Sequence, residues 1–167
     1  MTTFVITGAS RGIGLAMARQ LSDRGDRVIA VCRAASAELE APNITVEAEI
    51  DVTRADDLAE LKRRLSDVEI DALINNAGLL RSSSFAGIET ELDDWRAQYE
   101  VNALAPIRVT SALSDRLVTG GKVVIITSRM GSIADNTSGG AYAYRMSKAA
   151  VNAAGVSLAH ELKARDI

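Results

Sequence analysis

Tyr144 and Lys148 stand four residues apart, a spacing that places a phenol and an ammonium group on one face of a helix. A phenol, with an ordinary pKa of about 10, exchanges protons poorly at neutral pH unless a nearby cation favours its ionised form. Lys148 can be that cation, and its ammonium can also hydrogen-bond a ribose. Taken alone, the pair equally fits surface decoration. Ser128 adds to it, because it follows an apolar run and its hydroxyl can hold a substrate carbonyl or the developing alkoxide. Ser132 is close enough in the chain to compete for that role, and either serine could instead cap the next element. Asn102 interrupts a helical stretch with a side chain that competes for backbone groups, and a kink there could hold a water for proton relay.

A second group of residues has the chemistry of a nucleotide site. Thr7-Gly8-Ala9-Ser10-Arg11-Gly12-Ile13-Gly14 lies between an apolar run and a helical pattern. Glycines at 8, 12 and 14 let the backbone turn tightly and approach a pyrophosphate, with Ser10, Arg11 and Ile13 alongside, while the helix directs its N–H groups at the same place. The spacing is not G-x-G-x-x-G, and an ordinary glycine-rich turn remains open. Where an NAD site offers a carboxylate to the ribose 2′-hydroxyl, this chain has Cys32-Arg33. A guanidinium binds a 2′-phosphate that a carboxylate would repel, and Arg11 adds a second charge, so NADP(H) is preferred over NAD(H). Both arginines could also be solvated surface charges. Asp51-Val52 is placed to meet an adenine edge. In Asn75-Asn76-Ala77-Gly78 the amides can brace neighbouring strands and the small Ala77-Gly78 pair leaves room beside an adenosine.

The elements that must position these residues alternate between short apolar runs and longer helical patterns, the rhythm of a parallel sheet with crossover helices. Strands are expected at Thr3–Ile6, Val28–Cys32, Ile44–Ile50, Ile70–Ile74 and Lys122–Thr127. Helices are expected over about Gly12–Arg24, Thr53–Leu65, Leu92–Val118 (interrupted near Asn102 and Pro106) and Tyr142–Ala164, with at most a helical turn in Ala34–Pro42. Without hairpin signals, these elements give an α/β, Rossmann-type doubly wound sheet of order 3-2-1-4-5, whose ligands bind beyond the strands' carboxyl ends. The chemically unusual residues fall at those ends.

Composition narrows the function classes. The 167 residues fit one domain spanning 1–167, and 47% hydrophobic with 25% charged residues is the balance of a globular chain with a core. A formal charge of −3 gives no reason to expect nucleic acid. Cys32 is the only cysteine, which suits a reducing compartment. The N-terminus has no charged region before an apolar stretch, and no run reaches the roughly 18 apolar residues of a membrane span, so a soluble cytoplasmic protein is expected. There is no cluster of metal ligands in the sequence; His160 and Trp95 are read as structural.

Together the motifs resemble the short-chain dehydrogenase/reductase family. Thr7–Gly14 matches its T-G-x-x-x-G-x-G loop, Asn75–Gly78 its N-N-A-G, and Tyr144 with Lys148 its Y-x-x-x-K, with Ser128 and Asn102 upstream. The stretches Ser128–Ile133 and Asn136–Gly140 are similar to the C-factor and sniffer-type carbonyl-reductase branch. The resemblance implies carbonyl/alcohol interconversion on a small molecule through a relay of Asn102, Ser128, Tyr144 and Lys148. Tyr144 would give the proton, Ser128 would place the oxygen, and Lys148 would favour the ionised tyrosine and bind the nicotinamide ribose. Asn76, Ala77 and Gly78 would line the adenosine side. A homodimer or homotetramer built on the two long helices is also implied. Family members run to about 250 residues, so further C-terminal strands and a substrate-covering segment are expected beyond Asp166-Ile167, and the shortened chain's activity is conditional on them. The competing reading is a non-catalytic NADP(H)-binding regulatory or signalling protein. A Rossmann-type methyltransferase is a third, with no use for Arg33 or the Tyr–Lys pair.

Overall fold

Thr3–Thr7 (β1) lies at the centre of a parallel sheet, with Arg27–Val31 (β2) on one side and Ile70–Asn75 (β4) on the other. Ile44–Glu47 (β3) and Leu117–Ile125 (β5) form the two edges, giving the order β3-β2-β1-β4-β5 in a computed structural model that describes residues 1–167. This is the Rossmann-type order expected. Alternate residues of the central strands feed two separate cores, as a sheet covered on both faces requires. Val5, Ile29, Val31 and Leu73 pack with Leu58, Leu61, Val109 and Leu113. Their neighbours Ile6, Val28, Ala30 and Ile74 pack with Leu15, Ala18 and Leu39.

The helices are Gly12–Asp23 (α1), Ala55–Arg64 (α2), Ile88–Tyr99 (α3), Ala105–Leu113 (α4) and Tyr142–Leu162 (α5). None is long and apolar enough to cross a membrane. The expected helical turn in Ala34–Pro42 is a 3₁₀ turn at Ala37–Leu39.

Several boundaries differ from the sequence expectation for identifiable reasons. β3 stops at Glu47 because Glu49 adopts φ 63°, although the Ile50 N–H rejoins the sheet by donating to the Cys32 carbonyl at 3.1 Å. Thr53 does not begin α2. Its N–H and hydroxyl both donate to Asp51 Oδ1, at 2.9 and 2.7 Å, and the helix starts after Arg54. The expected Leu92–Val118 helix instead starts at Ile88, widens into a π turn over Glu100–Leu104, and continues as α4 with Pro106 in its first turn. Pro106 can donate no helical N–H bond, and the ladder widens into the π turn just before it. β5 begins at Leu117, five residues early, because a register shift opposite Ile70–Ala72 hides that half of the strand from a simple apolar pattern.

Candidate active site

The glycine loop and the Asn75–Gly78 segment are built against each other. Gly8 has φ 66°, and a Cβ there would lie 2.9 Å from Ala77 Cα. A Cβ on Gly14 would collide with Asn76 Nδ2 and lie 2.5 Å from the Gly8 carbonyl oxygen. Asn76 Nδ2 donates to the carbonyls of Thr7 and Gly8 at 2.9 and 3.2 Å, and the Thr7 hydroxyl oxygen accepts from the N–H groups of Asn76 and Ala77, both at 3.1 Å. The two loops are therefore fastened together by packing and four hydrogen bonds. Gly14→Ala is expected to destabilise the fold by about 1–3 kcal/mol and to weaken dinucleotide binding, read by urea unfolding and NADPH titration. Wild-type stability in that variant would mean that the loops are not packed as described.

The outer side of this loop fits a dinucleotide. A Cβ on Gly12 would meet nothing within 4 Å, and Arg11, Gly12 and Ile13 are exposed. The α1 N-terminus has neither a side-chain cap nor an acidic residue in its first turn. Its N–H groups and positive dipole end are thus available to an anion such as pyrophosphate. Ser10, half-buried, precedes the cap. Arg33 is exposed just past β2, and its charge acts on Asp51. Partial burial pushes the Asp51 carboxyl up, but the Thr53 hydrogen bonds, Arg33 and Arg54 outweigh this and hold it below the usual range. Asp51 and Arg33 thus share one rim of the site, with Val52 buried beside them.

Lys148, Tyr144 and Ser128 lie by the carboxyl ends of β4 and β5. Lys148 is only 4% exposed. Its Nζ donates to the Ile126 carbonyl at 2.8 Å, stands 5.8 Å from the centre of the Tyr144 ring, and would lie 4.0 Å from a Cβ on Gly78. Burial pushes this ammonium below the ordinary lysine range. Ser128 follows Ile126 by two residues and opens a 3₁₀ turn, Arg129–Gly131, whose Met130 N–H donates to Ser128 Oγ at 3.1 Å. Gly131 sits so close to the Lys148 backbone that a Cβ would lie 2.8 Å from the Lys148 carbonyl carbon. Ser132 Oγ accepts from the Asp135 N–H at 3.2 Å, in the loop leading away.

Asn102 lies in the π turn and is 1% exposed. Its Oδ1 accepts from the Leu79 N–H at 2.7 Å, while Nδ2 donates to the Leu79 carbonyl at 2.8 Å and to Ser147 Oγ at 3.0 Å. Both amide N–H donors are engaged, so the side chain fastens the segment after Gly78 and leaves no donor for a water.

Residues not singled out in the sequence complete this fastening. The Arg81 N–H donates to Oε1 of the fully buried Gln98 at 3.1 Å, and the Ala143 N–H donates to Ser83 Oγ at 3.2 Å. Residues 79, 81 and 83 are thus tied in turn to the π turn, to α3 and to the start of α5. In sequence this segment is polar and irregular, and its partners lie 17 to 60 residues away, beyond any local pattern.

A family model described as short chain dehydrogenase matches residues 2–167. The 1-hydroxy-2-glutathionyl-2-methyl-3-butene dehydrogenase of Rhodococcus sp. strain AD45 is 43% identical over 164 residues, 97% of this chain and 72% of the relative. The C-signal protein of Myxococcus xanthus is 48% identical over 96 residues, 56% of this chain and 57% of that protein. A solved short-chain dehydrogenase/reductase of Burkholderia multivorans with bound NADP superposes with a TM-score of 0.87 at 34% identity, covering 96% of this chain and 73% of that one. With its five-stranded parallel sheet of order β3-β2-β1-β4-β5, the chain belongs to the short-chain dehydrogenase family.

Proposed function

We propose that this chain is an NADP(H)-dependent oxidoreductase of the carbonyl-reductase branch, interconverting a small carbonyl compound and its alcohol with Tyr144 as acid and base. The observation that carries this reading is the Lys148 ammonium, buried between the ends of β4 and β5 and next to the Tyr144 ring. A lysine serving only the surface would not be desolvated there. The dehydrogenase name of the Rhodococcus relative and the NADP held by the Burkholderia structure support the reaction class and the cofactor.

A bound NADP(H) would supply the hydride. Gly8, Ser10, Arg11, Gly12, Ile13 and Gly14 would receive its pyrophosphate, Asp51, Val52, Asn76, Ala77 and Gly78 would line its adenosine side, and Arg33 would bind its 2′-phosphate. Ser128 holds the substrate oxygen, and Tyr144 transfers the proton to it. Lys148 keeps a positive charge beside that phenol, and its remaining N–H donors meet the ribose. Asn102 works as a positioning residue through Leu79 and Ser147. On the same reading residues 1–167 form a single dinucleotide-binding and catalytic domain of a cytoplasmic homodimer or homotetramer.

NADPH titration followed by its oxidation with aldehydes and ketones tests the proposal. Binding without turnover of any of them would favour a cofactor-binding regulatory protein. For cofactor choice, Arg33→Asp is expected to shift the NADPH-to-NADH affinity ratio at least about tenfold toward NADH. An unchanged ratio removes Arg33 from the phosphate site.

A further inference from the structure

The geometry points to Arg145 as a positioning residue that locks the Ser128 turn to the helix bearing Tyr144, an inference that rests on the oxidoreductase reading above. Arg145 follows Tyr144 directly, yet its side chain reaches back over the preceding loop. Nε donates to the Gly140 carbonyl at 3.2 Å, Nη1 to the Met130 carbonyl at 3.4 Å and Nη2 to Ser138 Oγ at 2.9 Å. One rigid, forked guanidinium thus joins both ends of the 130–140 loop. Met130 is the residue whose N–H donates to Ser128 Oγ, so the clamp ends on the same residue that makes the Ser128 turn's own hydrogen bond.

The loop needs an external tie. Gly139, Gly140 and Ala141 all have positive φ, 63°, 66° and 45°, and for Ala141 that conformation is unfavourable by about 1–2 kcal/mol. The other polar contacts of its far half stay inside the loop or its turn: Ser132 with Asp135, Asn136 with Gly139, and Arg129 with Asp135. These shape the loop without fixing it to α5. Ala141 supplies no side-chain cap to α5, so the Ser83 bond and the Arg145 clamp orient its first turn, while later turns meet the Ser128 segment through Lys148 Nζ on the Ile126 carbonyl, Thr127 Oγ1 on Asn152 Oδ1 and Asn152 Nδ2 on the Gly131 carbonyl. Loss of the clamp frees the loop that enters the first turn of α5, so the phenol shifts against a Ser128 held by the later turns, and a displacement near 1 Å costs up to about a hundredfold in rate.

Arg145→Ala and Arg145→Lys test this against wild type. In Arg145→Ala, kcat for carbonyl reduction is expected to fall about tenfold to a hundredfold while the NADPH Kd and the midpoint of the pH–rate profile hold. Amide exchange across residues 132–141 is expected to quicken at least about tenfold, with the strands unchanged. Arg145→Lys recovers part of kcat, because an ammonium can satisfy one or two of the three acceptors. An undiminished kcat, a shifted pH midpoint (which would mean that the charge acts on the phenol) or unaltered exchange overturns the inference. If wild type reduces no carbonyl, the functional reading fails and the exchange result alone decides whether Arg145 is the clamp.

Discussion

Tyr144→Phe is expected to lower carbonyl turnover by about 10²–10⁴-fold while leaving NADPH affinity within about twofold of wild type. The substitution removes one oxygen and keeps the ring, so the space between α5 and the ends of β4 and β5 stays filled. Beyond the helix ladder, Tyr144 contributes a carbonyl that accepts from Ser147 Oγ at 2.8 Å, and Phe retains it. Unfolding by urea should therefore match wild type. The Gly8–Gly14 loop and the Asp51 rim, proposed to bind the pyrophosphate and adenosine, follow β1 and β3, whereas Tyr144 lies on α5. Hydride transfer to a carbonyl develops negative charge on oxygen, and without the phenol no group at that position can deliver a proton. Ser128 still offers a hydrogen bond, which sets the residual rate. Stopped-flow absorbance of NADPH with an aldehyde, beside fluorescence titration of the cofactor, separates the two effects. Equal turnover in the two proteins would remove Tyr144 from the reaction and, with it, the acid–base half of the proposed function.

The strands and the shared helix face of Tyr144 and Lys148 were legible because both rest on local patterns, and the sheet order followed from the rules for crossover connections. Strand runs such as Val28–Cys32 carry their burial in their own composition, and Tyr144 and Lys148 share a helix face by spacing alone. What escaped is what depends on distant partners. Thr53 resembles a helix cap until Asp51 claims its hydroxyl and N–H. Asn102 was readable as a helix interruption, but its engagement with Leu79 and Ser147 requires three segments to meet. Gln98 and Ser83 are ordinary polar residues in sequence, and only the fold reveals that they hold alternate residues of the 79–84 segment. The early half of β5 was hidden because Gly120 and Gly121 sit within it, and glycine reads as a breaker where the structure uses an irregular register. Arg145 carries no local signal, because it spans a loop that has no regular structure to predict.

Lys148→Met is expected to lower turnover by about a hundredfold or more and to change the folding stability of the free protein at pH 7 by no more than about 1 kcal/mol. Two opposed effects set that small stability change. The ammonium is 4% exposed and its burial is unfavourable, which is why its pKa lies below the ordinary 10.5. Its bond to the Ile126 carbonyl, 2.8 Å long, is favourable, and methionine leaves that acceptor without a donor. The two effects separate with pH. Between the lowered folded pKa and 10.5 the unfolded chain binds more protons than the folded one, so wild-type stability rises with pH across that window. The desolvation cost is fully present below the window and gone above it. Methionine cannot titrate, so the stability of wild type relative to the variant should climb from pH 7 to pH 10.5 in paired urea titrations. A difference that stays flat would show that Lys148 keeps its solvent in the free protein. The same burial that burdens the fold places a cation beside Tyr144 where water screens it least, which makes Lys148 useful to catalysis for the reason that it is poor for stability.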